Sequence, residues 1–383
     1  MENLFDDIRP YNNEEINGVL NELTRDPEFE PILYHIFKEE KIVEAVKADL
    51  NKLTSIIDFQ VKFMYPLIKD ILVKSTDGVF CTGIENLEKD KNYLFISNHR
   101  DIILDSAFMN MLMHDEGLKT TEIAIGSNLL ISDWITRIVR TNRAFIVKRN
   151  IPIKQMLEAS RKLSAYIRNT ITVNDRSVWI AQREGRTKDG NDQTQVALLK
   201  MINVSNKKSF AEGFKDLHVV PLSISYEIEP CGNEKVLELL LRSEDSCFQK
   251  TPKDDMLAMA GGLKNAKGKV NFSFGKPISG DLLKEIETKC HGLNERLNAL
   301  ASHIDQNIYS NYKLWPNNYI AYDIHNKTTK YFDLGEYTQE QKEAFLDLMN
   351  TRLELLGDRK EAGIPLWMNM YAYPVTNHEN TLA

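Results

Sequence analysis

The segment FISNHRDIILDSAF, residues 95–108, places His99 directly after an apolar run, with Asp101 and Asp105 close behind it. The run reads as a buried strand and the residues beyond it as a helix, so His99 falls at a strand end. Strand ends and helix N-termini converge on one edge of an α/β sheet, and ligands bind there. A histidine at that edge can serve as a general base if a carboxylate holds its other ring nitrogen and stabilises the imidazolium. Asp105 can supply that carboxylate, and so can Asp101. Taken alone, the same residues also fit an ordinary polar loop.

Two later strand ends carry cations. AFIVKRN (144–150) ends in Lys148 and Arg149. QREGRTKDG (182–190) sets Arg183, Arg186 and Lys188 around Glu184, Gly185 and Gly190. Glycine there lets the backbone approach a ligand closely. A fourth segment, VVPLSISYE (219–227), is an apolar strand with an early proline. Each has a bland counterpart: an exposed strand terminus, a polar turn, a core strand. Together, a histidine–carboxylate pair and two cation-rich loops on one sheet edge suggest removal of a proton from a hydroxyl on a phosphate-bearing substrate.

The elements that must position these residues are legible in the hydrophobic pattern. Residues 1–75 place apolar side chains at three- and four-residue spacing and predict helices, the first capped by Asn12 or Asn13. Beyond them, short apolar runs at 93–97, 121–126, 144–148, 177–182 and 218–226 alternate with helical stretches near 102–114, 131–140, 152–169 and 194–202. A helical stretch at 253–264, a strand at 269–275, a long helical segment at 281–309 and an amphipathic helix at about 338–357 follow, then a polar tail. Alternation of this kind predicts an α/β domain with a central, mostly parallel or mixed sheet flanked by helices. The expected division is a helical region over 1–75, a catalytic domain over 76–310 and a mainly helical C-terminal extension over 311–383.

Composition bounds the rest. The 383 residues are 42% hydrophobic and 27% charged, with net charge −7, which argues against nucleic acid as a partner. Charge is uneven: nine basic residues lie between Arg137 and Arg168 against one acid, Glu158. That run is the candidate contact for an anionic membrane surface. Cys81, Cys231, Cys247 and Cys290 are scattered, without the spacing of a disulfide or zinc framework, which fits a reducing compartment. The first residues are acidic and polar, unlike a secretory signal. The most apolar long stretch, residues 56–73, carries two Asp and two Lys and falls short of the roughly 18 apolar residues of a spanning helix. The expected location is cytoplasmic, peripheral to the inner face of the membrane.

The four segments, in this order, resemble the motif blocks of the glycerol-phosphate/lysophosphatidate acyltransferase superfamily. The blocks are Asn-His with an Asp four intervening residues on, a basic strand terminus, a glycine–arginine loop and a strand containing V-P-x-S-x-x-Y. Here they read SNHRDIILD, AFIVKR, REGRTK and VVPLSISYE, within roughly residues 80–280. There are two departures. Five residues separate His99 from Asp105, and Glu184-Gly185-Arg186 is one residue shorter than the usual Glu-Gly-x-Arg. In regular helix a six-residue offset would set two side chains about 120° apart. A working pair therefore needs His99 ahead of the helix, with the extra residue absorbed in a loop or a distorted first turn.

The resemblance implies a glycerol-3-phosphate acyltransferase-like fold and transfer of an acyl group from acyl-CoA or acyl-carrier protein. The implied acceptor is glycerol 3-phosphate or its 1-acyl derivative. It assigns His99 as base, Asp105 as its partner, and Lys148, Arg149, Arg183, Arg186 and Lys188 as the phosphate grip around Glu184 and Gly185. It requires no metal or nucleotide cofactor, and the remaining histidines form no ligand pattern. Two alternatives stay open: a non-catalytic lipid- or phosphate-binding protein on the same fold, and an acyltransferase for another lysolipid.

Overall fold

The computed structural model describes residues 4–382. Seven strands form one sheet: β1 (Val79–Thr82), β2 (Leu94–Ser97), β3 (Glu122–Gly126), β4 (Ala144–Val147), β5 (Val178–Ala181), β6 (Val219–Tyr226) and β7 (Val270–Phe274). Their order is β1-β7-β6-β2-β5-β3-β4. The run from β6 to β4 is parallel, whereas β7 is antiparallel to β6 and parallel to β1. The sheet is therefore mixed, with a parallel centre covered on both faces. That cover explains why the sequence of β2 and of β6 is apolar or small throughout, without polar alternation.

Successive side chains of each strand point to opposite faces. Leu94 and Ile96 of β2 meet Leu163, Ile167 and Ile171 of the Ile153–Thr172 helix and Leu297, Leu300 and Ile304 of the Leu293–Asn311 helix. Phe95, between them, turns to the other face and joins Phe108 and Met109 of the Leu104–Asp115 helix. Each such side chain, fully buried, contributes about 1.5–3 kcal/mol relative to exposure.

Helices enclose the sheet at both ends of the chain. Asn13–Leu23, Glu30–Phe37 and Glu40–Leu50 share a separate apolar cluster, joined by Trp134 and Ile138 of the Asp133–Thr141 helix. Asn12 caps the first of them in a box with Glu15, while the Asn13 side chain accepts from the Ile56 amide. Pro316–Asn326, Gln339–Glu354 and Lys360–Glu379 pack with Val236 and Leu240 of the Gly232–Glu244 helix. The last of these replaces the expected polar tail. It buries Trp367 and Tyr371 and contains Pro365 and Pro374, residues that usually interrupt helices. The expected segment 281–309 is two helices, Gly280–Lys289 and Leu293–Asn311, broken at Gly292, whose φ of 93° no regular helix accommodates. Among the described residues no helix is long and apolar enough to cross a membrane.

Candidate active site

The catalytic-type loop begins where β2 runs out. Backbone pairing of β2 with β6 ends at Ser97–Leu222. Asn98 then extends it with its side chain: Oδ1 accepts from the Ile224 amide and Nδ2 donates to the Ile224 carbonyl, both at 2.8 Å. This clamp lifts residues 99–103 out of the sheet before the Leu104–Asp115 helix starts. Asp101 caps that start, its Oδ1 accepting from the amides of Ile103 and Leu104 at 2.9 and 2.8 Å. The extra residue of the first motif block is thus absorbed in an irregular turn.

The turn brings His99 and Asp105 together. His99 Nδ1 donates to Asp105 Oδ2 at 2.8 Å. The same oxygen accepts from the amides of Arg100 (2.7 Å) and Asp101 (3.0 Å), and Oδ1 accepts from the Tyr226 hydroxyl at 2.9 Å. Four donors thus fix a fully buried carboxylate. A carboxylate on Nδ1 selects the tautomer that leaves the lone pair on Nε2. No described residue hydrogen-bonds Nε2, and the His99 side chain is 14% exposed. The ring meets Trp179 edge-on at 5.6 Å, and Trp179 is itself held by its Nε1 donating to Ser97 Oγ at 3.0 Å.

The surroundings keep the neighbours of this pair in defined protonation states. Burial, reinforced by Asp105, pushes the Tyr226 hydroxyl well above its ordinary value, so it remains a donor. Burial and then Asp105 also push the Asp101 carboxyl upward. Cys231, 3.6 Å from Asp101, is pushed up to about 12, mainly by burial, which makes it a poor thiolate nucleophile.

Behind the turn lies a closed charge network. Arg100, fully buried, reaches Asp192 Oδ2 through Nη2 at 2.5 Å and Glu229 Oε1 through Nη1 at 3.0 Å, and its guanidinium lies over the Tyr312 ring. Glu229 is shared with Lys235 at 2.5 Å, and its amide donates to the Tyr371 hydroxyl at 2.8 Å. Asn98 Nδ2 donates to Asp192 at 3.1 Å, tying the network back to the β2 end. Sequence reasoning missed Arg100, Asp192 and Glu229, because their separations along the chain leave no local pattern. Tyr226 had a signal: it is the last residue of the fourth motif block.

The expected cations separate into two groups. Arg186 is 6% exposed, and its Nη1 is enclosed without a hydrogen-bond partner among the described residues. Its loop is pinned beside the histidine, the Thr187 amide donating to the His99 carbonyl at 3.0 Å. Its charge is felt by Asp101, Cys231 and Glu234. Gly185 supplies the left-handed turn before it, with φ of 71°. Arg183 has an enclosed, unpartnered Nε. The others are in ion pairs: Lys148 with Asp7 at 2.6 Å, Arg149 with Glu184 at 2.9 Å and Lys188 with Glu238 at 3.1 Å.

Residues 78–225, which span the first three motif blocks and most of the fourth, match the Acyltransferase family model. The loops after β2 and β5 supply His99 and Arg186, the first turn of the Leu104–Asp115 helix supplies Asp105, and the last residue of β6, one position beyond the matched range, is Tyr226. Among solved structures, the chain is similar to the crystal structure of the 1-acyl-sn-glycerophosphate (LPA) acyltransferase, PlsC, from Thermotoga maritima. The TM-score is 0.38 at 12% identity, over 77% of this chain and 97% of that one. Comparison with curated proteins returned no match.

Proposed function

We propose that the chain is an acyltransferase that moves a fatty acyl group from acyl-CoA or acyl-carrier protein to a hydroxyl of glycerol 3-phosphate or lysophosphatidate. The observation that carries this reading is the His99 ring, fixed by Asp105 at Nδ1 and left with a free Nε2. Nε2 takes the hydroxyl proton as the hydroxyl oxygen bonds to the thioester carbonyl carbon. The resulting tetrahedral oxyanion collapses, the carbon–sulfur bond breaks, and the imidazolium returns its proton to the leaving thiolate. Positioned general-base catalysis of this kind is worth about 10²–10⁴-fold. Arg186, with an enclosed guanidinium nitrogen lacking a partner, is the residue assigned to the acceptor phosphate.

A second reading, an acceptor without phosphate, draws support from the pairing of Lys148, Arg149 and Lys188 with acids of the protein itself. One experiment separates the two. Purified protein and a radiolabelled acyl donor are offered glycerol 3-phosphate, lysophosphatidate and an unphosphorylated lysolipid. The leading reading expects labelled product from a phosphorylated acceptor. Product from the unphosphorylated lysolipid alone supports the second, and no product from any of them removes both.

A further inference from the structure

Most of the basic run 137–168 is engaged internally. Arg137 pairs with Glu22 and Asp26, Arg140 donates to the carbonyls of Asp6 and Arg9, and Lys148 and Lys162 share Asp7. Arg143 is buried beside Gln60, Arg149 holds Glu184, and Arg168 donates to the Gly213 carbonyl. Only Lys154 and Arg161 are exposed without an ion pair among the described residues. Both lie on the first turns of the Ile153–Thr172 helix, and those turns have an unusual surface.

Leu163, Ser164, Ile167 and Ile171 of that helix face the core. Traced back at the same three- and four-residue spacing, their stripe continues through Ser160 to Leu157, Met156 and Ile153. There it leaves the core: Ile153 is 86% exposed, Met156 52% and Leu157 54%. The helix follows β4, so its N-terminal turns overhang the sheet edge that carries His99. Two other apolar groups stand at that edge. Ile131 is exposed in the loop after β3, and Met256 and Leu257 are half-exposed on the Pro252–Lys264 helix. This helix lies against the Ser127–Leu129 turn, and its Gly262 packs on Asp101.

Charge around this rim has a basic excess. Lys154, Arg161 and Lys253 are exposed there, against two exposed acids without a partner among the described residues, Glu158 and Asp133. Asp254 caps its helix through Thr251, and Asp255 pairs with Lys250. Exposed apolar side chains from three separate segments thus stand at this edge. Long basic side chains beside such a rim can lie along the apolar surface and keep their charge at headgroup level.

We infer that this rim seats on the interfacial region of an anionic lipid bilayer. Ile153, Met156, Leu157, Ile131, Met256 and Leu257 enter the acyl boundary, and Lys154, Arg161 and Lys253 meet the headgroups. The orientation turns the His99 edge towards the lipid, and its use for lipid substrates rests on the acyltransferase reading above.

The test is co-sedimentation of the full chain, without substrate, with phosphatidylcholine vesicles containing or lacking phosphatidylglycerol. Omitting substrate keeps loss of binding and absence of acyl transfer as separate results. Wild type should bind the anionic vesicles. The double variant Ile153→Glu/Leu157→Glu, and separately Met256→Glu, should lose at least about tenfold in affinity, with circular dichroism unchanged. Lys154→Glu/Arg161→Glu should weaken binding to the anionic vesicles only. Leu355→Glu, an exposed apolar site on the C-terminal helices, should bind as wild type. The inference is overturned if wild type stays in the supernatant with every vesicle, or if the folded stripe variants bind as wild type does. It is equally overturned if light scattering finds a wild-type dimer that the stripe variants break, since the stripe would then cover a second copy.

Discussion

The Tyr226 hydroxyl donates to Asp105 on the carboxylate oxygen that His99 does not use, 2.9 Å away. The last residue of β6 thereby holds the partner of the candidate base from behind, and the two backbone amides at Arg100 and Asp101 hold it from the side.

A graded loss should follow along this chain of bonds. His99→Ala should leave the fold intact and lower kcat by at least about 10²-fold, since the base itself is gone. Asp105→Asn should be severe but milder, because an amide cannot accept from all four donors with two acceptor oxygens as the carboxylate does. Tyr226→Phe keeps the His99–Asp105 bond and should cost about 1.5–3 kcal/mol of stability with a smaller fall in kcat. Steady-state kinetics alongside thermal unfolding checks the order; full activity in His99→Ala would remove His99 as base.

Breaking the network behind the turn should be a stability event first. Arg100→Ala leaves Asp192 and Glu229 buried with fewer positive partners, and truncations of this type cost about 3–5 kcal/mol. Denaturant unfolding of Arg100→Ala measures this directly. A change below about 1 kcal/mol would mean that Lys235 and Asn98 alone balance the two acids.

The two groups of cations should separate in kinetics. Arg186→Lys should already raise KM for a phosphorylated acceptor, and Arg186→Ala should raise it further, because an ammonium cannot reproduce a two-pronged guanidinium contact. The donor KM should change little in both. Lys148→Ala, which removes a partner of Asp7 instead, should leave the acceptor KM near wild type. An unchanged acceptor KM in Arg186→Ala would take the phosphate away from this residue.

Lys267 offers a test by pH. Its ammonium is enclosed by Ser75 Oγ and the carbonyls of Asn265 and Leu263, without a paired carboxylate. Burial, partly offset by Asp101 and Cys231, brings it down to about 8 from an ordinary 10.5. Between those values the unfolded chain binds more protons than the folded one, so this group makes stability rise with pH across the window. Relative to Lys267→Met, the wild-type midpoint temperature should therefore climb between pH 8 and pH 10.5. A constant difference between the two proteins would show that the lysine does not titrate there.

Six of the seven strands were legible as short apolar runs, because burial on both faces leaves little room for polar residues. β1 was not, since Val79–Thr82 is a four-residue edge strand whose Phe80 and Thr82 face solvent. In the site, His99 and Asp105 were legible by type and spacing, while their contact depended on an irregular turn that spacing alone could not specify. Asp101, read as an alternative partner for His99, is instead the cap of that turn. Arg100, Asp192 and Glu229 were illegible for a different reason: tertiary packing alone brings together charges so far apart in sequence. Gly292 was passed over because apolar spacing continues on both sides of the break.

The place of β7 between β1 and β6 has a consequence for how the chain acquires its structure. Val79 of β1 pairs with Val270 of β7 and with no other strand, so its partner lies 191 residues later (270 − 79). Closing so long a loop delays the reward of strand pairing. During synthesis the helices before β1 can gather their own apolar cluster at once. β1 itself waits, unpaired, until the ribosome has released β7, and residues 78–225 are accordingly a unit of sequence kinship that cannot finish its own sheet.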